Sequence, residues 1–268
     1  MNILLAFITF CLYGAAGLGL LRRLLNGPDA FPGRRLCLLF GALALALHFG
    51  LLAYSLMPGQ ASRLGFFEAS SLVAWLISAL LLATATRRPV ESLGILILPL
   101  SGVAVLLDAI FGPVASTAPP MPPGLAAHVI SSIVAYSILA LAAFQAVLLA
   151  VQEHRLHHKH PGGFVRLLPP MQTMEHLLFQ MLRLGFLGLT LALITGFLFL
   201  EDMFAQHLVH KTVLSIIAWC VFATLLYGRW RFGWRGKTAI RWTLAGFIVL
   251  MLSYFGSKFV LEVVLQRF

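Results

Sequence analysis

Charge is what this sequence lacks most. Only 10% of its 268 residues are Asp, Glu, Lys or Arg, where a soluble domain carries about 25%. Cysteine is almost absent too: Cys11, Cys37 and Cys220 form no CxxC and fall within apolar runs or at the edge of one. That excludes a disulfide framework and thiol redox chemistry, and leaves them as small hydrophobes. There is no phosphate loop, no GxSxG, no HExxH and no pair of intramembrane carboxylates, so nothing supports an enzyme. The alternating ten-residue pattern of a membrane barrel is missing as well.

What fills the chain instead is hydrophobic sequence, 60% of all residues. Eight runs are long enough to cross a bilayer, which needs about 20 apolar residues per helix. They read at 3–21, 36–57, 66–86, 90–111, 125–152, 181–200, 212–228 and 240–261. Lipid offers backbone polar groups no partner, so each run is expected to be a helix. The expected fold is all-α: one polytopic membrane helix bundle of eight transmembrane helices over residues 1–268. The first run has no charged region before it and is expected to be retained rather than cleaved.

The formal charge is +10, a balance that in a soluble protein suggests nucleic acid. Here the basic residues sort by loop. The first, third, fifth and seventh loops and their flanks hold fifteen of them, from Arg22 and Arg23 to Lys237 and Arg241. The remaining four are Arg63, Lys211, Lys258 and Arg267. The positive-inside rule makes the odd-numbered loops cytoplasmic and puts both termini outside the cytoplasm. The partner implied is membrane lipid, not nucleic acid. Between the fifth and sixth spans, Phe164 to Gln180 reads as an amphipathic stretch at the headgroups, with Leu167, Leu168, Met171, Met174 and Leu178 as its apolar face. The preceding His154, His157, His158 and His160 alternate with Arg155 and Lys159, a basic patch suited to anionic lipid rather than to a cation. Trp230, Trp234 and Trp242 read as an interfacial belt.

Histidine is the residue type that points to function. His128 opens the fifth span in Gly124-Leu-Ala-Ala-His128-Val, and Ser132 and Tyr136 follow at steps of four on one helical face. Polar groups on a membrane helix are expected to face the bundle interior, as ligands or as helix–helix hydrogen bonds. His207 and His210 lie three residues apart in the outer loop before the seventh span. Imidazole suits Zn, Cu and haem iron, and Asp108, Glu201 and Asp202 lie on the same side. His48 lies about 18 Å into the second span at 1.5 Å per residue. It reads as a metal ligand, a proton relay or a hydrogen-bonded neutral imidazole.

Several stretches together resemble the cytochrome c assembly family of membrane proteins, the CcsA/CcmC/HemX-like group, including its small bacterial inner-membrane branch. They are His128-Val with Ala135-Tyr136, Gly185-Phe186 through Leu189-Thr190 to Ile194-Thr195-Gly196, and Lys211-Thr212 with Ile217-Ala218-Trp219. Gly233-Trp234-Arg235-Gly236, Tyr254-Phe255-Gly256 and Phe67-Glu68-Ala69-Ser70 complete the set. The resemblance is strongest over 124–257. It implies haem held at the outer face between two histidines, beneath a tryptophan-rich loop, with His128 on the first histidine position. The loop's counterpart between Gly196 and Lys211 contains no Trp, Ser257 to Phe268 contains no His, and the family's membrane histidine would fall near Tyr227-Gly228. These departures oppose a haem–apocytochrome ligase. The expectation is a multi-pass protein of the bacterial inner membrane, accessory to haem handling, with His128 and either His207 or His210 as ligands. Two alternatives are a regulatory or structural partner of a divalent-cation transport system, and a small transporter moving substrate past His48.

Overall fold

The computed structural model describes residues 2–27, 29–55, 65–86, 90–112, 122–157, 168–199, 209–256 and 259. Among them are eight helices and no strand: α1 (Ile3–Asn26), α2 (Arg34–Ser55), α3 (Phe66–Ala85), α4 (Glu91–Phe111), α5 (Pro123–His157), α6 (Met171–Phe199), α7 (Val209–Phe232) and α8 (Gly236–Met251). A π-helical turn, Leu252–Gly256, continues α8. All eight are long and apolar enough to cross a membrane. Helix ends follow local chemistry. The Asn2 side chain accepts the Leu4 amide N–H at 3.1 Å to cap α1. Pro170 precedes α6, and its carbonyl accepts the Thr173 and Met174 amides.

The helices group into two compact units, α1–α4 and α5–α8, where the sequence reads as one membrane domain. In the first unit α1 packs against α2 and α4, and α3 against α2 and α4. Small residues set the α1–α4 spacing. A Cβ on Gly17 would stand 2.6 Å from the Pro99 ring, and one on Gly102 would stand 3.2 Å from the Phe10 backbone. Membrane helices associate through such close approach, because lipid removes the hydrophobic drive between them. Pro99 sits within the continuous α4. At one end of the unit Arg34 pairs with Glu91 and also donates to the Ala85 carbonyl at 2.7 Å.

In the second unit α5 packs against α6 and α8, α6 against α7, and α7 against α8. Gly185 meets Leu139 and Gly188 meets Ala135, bringing α5 and α6 together as the two glycines do in the first unit. The opposite face of α6 is exposed apolar surface, Leu184, Leu187, Leu191, Ile194 and Leu198, the face that lipid covers. Many large apolar side chains are exposed, while Glu175, Gln145 and Gln152 are buried among apolar ones.

One expectation needs correction. The headgroup helix over Phe164 to Gln180 is not a separate element: residues 171–180 are the first turns of α6, continuous with its span, and residues 164–167 lie outside the described residues. Met174, Leu177 and Leu178 are buried, and the Gln145 amide donates to the Met174 carbonyl at 3.0 Å. Gln172, Thr173 and His176 of this stretch are exposed, whereas its acid is satisfied inside. Buried Glu175 accepts from Arg229 of α7 at 2.9 Å and from Arg235, the residue before α8, at 3.1 Å. Arg229 also lies over the Phe179 ring, 4.6 Å from its centroid, and donates to the Trp234 carbonyl.

Candidate functional site

His128 lies in the second turn of α5 and is half-buried. Its Nδ1 is 2.9 Å from the Ala192 carbonyl oxygen on α6. A carbonyl only accepts, so Nδ1 carries the proton and donates, and Nε2 holds the lone pair. Among the described residues nothing hydrogen-bonds Nε2. The Thr195 hydroxyl lies 3.0 Å from the same carbonyl and 2.9 Å from that of Leu191. The Ser131 hydroxyl donates to the His128 carbonyl at 3.0 Å and lies 3.3 Å from Thr195 Oγ1. One turn before His128, the Phe199 ring occupies the space a Cβ on Gly124 would need, 2.4 Å away. Glycine at 124 thus lets the Phe199 ring of α6 pack against the first turn of α5.

The expected polar stripe divides between two neighbours. His128 meets α6, whereas Tyr136 packs between Phe247 of α8 and Phe255 of the π turn, with ring centroids 5.4 and 5.2 Å away. Ser132, between them, is half-buried. His210 is the second residue of α7 and is exposed. His207, Glu201 and Asp202 lie outside the described residues.

His48 belongs to the other unit. It is fully buried, with Ser71 Oγ of α3 2.9 Å from Nε2 and the Tyr13 hydroxyl of α1 3.4 Å from Nδ1. The Tyr13 ring meets the imidazole edge-on at 5.9 Å. Both ring nitrogens are engaged, and the side chain ties three helices at depth. Asp108 of α4 is buried, and among the described residues its Oδ2 has no hydrogen-bond partner. It lies in the first unit; the hydrogen bond that orients His128 comes from a backbone carbonyl of its own unit.

Among the described residues no three or more His, Cys, Asp or Glu side chains come together to hold a metal ion. A multi-ligand Zn-type site needs about four such donors, whereas haem iron needs only one or two protein ligands because the porphyrin supplies the rest. A single imidazole such as that of His128 meets the smaller requirement.

Sequence reasoning missed the groups that orient His128. Ser131, Thr195 and the Ala192 carbonyl look like ordinary helix residues, and only the Thr195-Gly196 pair carried any signal. It also missed why the position near Tyr227-Gly228 holds no histidine. The Trp234 indole fills the place of a Gly228 side chain, 2.4 Å from where its Cβ would stand.

Residues 36–265 match the cytochrome C assembly protein family. The chain is 31% identical to the inner membrane protein YpjD of Escherichia coli (strain K12) over 237 residues, 86% of this chain and 88% of that one. It is similar over a shorter stretch to the cytochrome c biogenesis protein CcsA of Gloeobacter violaceus, 26% identical over 93 residues, covering 34% of this chain and 28% of the relative. CcsA of Trieres chinensis is 34% identical over 92 residues, 33% of this chain and 29% of that protein. No solved structure matches.

Proposed function

Because this chain belongs to the cytochrome C assembly protein family, we propose that it is an accessory haem-handling protein that holds haem at its outer face through His128. It is a multi-pass protein of the bacterial inner membrane. The observation that carries the reading is the tautomer of His128. Metal-ligating histidines characteristically donate their second ring N–H to a carbonyl or carboxylate, which fixes the ring and raises the basicity of the ligating nitrogen. The 2.9 Å bond from Nδ1 to the Ala192 carbonyl supports that reading, with Nε2 unpartnered among the described residues.

Haem bound there would be held by the His128 imidazole and would supply a redox-active iron. The protein's own part is to present Nε2 in a fixed direction. His207 or exposed His210 would supply a second imidazole. The missing tryptophan loop fits a protein that stores or passes on haem, to a membrane partner of the haem-handling kind, rather than one that attaches it. Detergent-purified protein titrated with haemin is expected to develop a Soret band at one haem per chain. If no band forms in either oxidation state, the haem reading fails and a partner role in a divalent-cation transport system takes its place.

The orientation this needs is separately checkable. A reporter fused after Phe268 should be active only outside the cytoplasm, following the fifteen-to-four partition of basic residues. Cytoplasmic activity would put His128 on the wrong face.

A further inference from the structure

The far end of α5 from His128 carries a second feature, which the haem reading does not use. A cavity of about 360 Å³ opens between the last turns of α5 and the first turns of α8, within the about 300–1,000 Å³ typical of small-molecule sites. Its rim is basic. Lys237 and Arg241, one turn apart on the same face of α8, meet His154 and His157 of α5 there. Its floor is apolar, formed by Ala150, one turn before His154 on α5, and by buried Ile240, which lies between Lys237 and Arg241 on α8. Beyond the floor the exposed Val147 and Val151 continue the apolar surface along α5.

Two further features favour an anion at the rim. The first turn of α8 has no side-chain cap, so its amide N–H groups are left to pair with water or an anion. The nearby Arg229 and Arg235 are committed to Glu175, so Lys237 and Arg241 supply the local positive charge. One acid opposes them: Glu153 lines the cavity, and its Oε1 lies 3.5 Å from where a Cβ on Gly236 would stand.

We propose that this cavity is a site for an anionic phospholipid, its phosphodiester held by Lys237 and Arg241 and its acyl chains leaving over Ala150, Ile240 and Val147. The polarity gradient selects the ligand. A free phosphate or nucleotide has no use for an apolar floor opening onto an apolar helix face, whereas a lipid has charge at one end and hydrocarbon at the other. Basic cavities between membrane helices recognise headgroups in this way.

The test is native mass spectrometry of the full chain in non-ionic detergent, with added phosphatidylglycerol or phosphatidylcholine. Wild type is expected to retain phosphatidylglycerol in preference. The Lys237→Ala/Arg241→Ala double variant should lose about 25-fold of that preference, at about fivefold for each basic residue. The charge-conserving Lys237→Arg/Arg241→Lys variant should keep it, and Glu153→Gln should strengthen it. Inorganic phosphate at millimolar concentration should not displace the lipid. Displacement by phosphate, equal retention of the two lipids, or a double variant indistinguishable from wild type would each overturn the proposal.

Discussion

Replacing His128 with alanine is expected to abolish most haem absorbance, weakening binding by at least about 100-fold. Loss of an outer-shell partner alone costs about 10–100-fold at metal sites, and here the ligating nitrogen itself goes. The fold should survive, because His128 is half-buried and contributes a single hydrogen bond to α6, worth about 1 kcal/mol. Free imidazole added to the variant should restore the band by filling the vacated position, an effect that a purely structural role for His128 does not produce. Changing His207 and His210 together should convert the spectrum to a five-coordinate form without removing it. A His128→Ala protein with an unaltered band would place the haem elsewhere.

The second large effect concerns stability. Glu175→Ala is expected to destabilise the protein by about 2–3 kcal/mol, measured as a lowered melting temperature in detergent. Breaking a buried ion pair costs about 3–5 kcal/mol when the remaining charge stays buried. Arg229 and Arg235 are 33% and 58% exposed, so water recovers part of that loss. Glu175→Gln should cost less, since the amide oxygen still accepts from one arginine. Arg235→Ala should fall below about 1 kcal/mol, as exposed pairs do. Equal melting temperatures across the three variants would show that the cluster does not hold α6, α7 and α8 together.

These two sites show how far the sequence could be read. Helix number and type were legible because hydropathy runs longer than about 20 residues have one solution in lipid. The beginning of α6 was not, because Glu175 and its neighbours look like a water-facing surface until two arginines arrive from 54 and 60 residues downstream. At His128 the residue type and its place on α5 were visible. The protonation of its ring was not, since it depends on a carbonyl 64 residues away that has no side-chain signature. His48 is similar: its position announces a polar group in the membrane, but Tyr13 and Ser71, 35 and 23 residues distant, decide what it does.

The partition into α1–α4 and α5–α8 bears on biosynthesis. Among the described residues, the hydrogen-bond partners of His48 are Tyr13 of α1 and Ser71 of α3, so its hydrogen bonds can close before the ribosome has begun α5. Glu175 is in a different position. At about 5–20 residues per second, its arginines follow it by roughly 3–12 seconds. During that interval α5 and α6 sit in the membrane as a hairpin with a carboxylate awaiting its cations. A truncation after α6 would leave that carboxylate permanently without its cations.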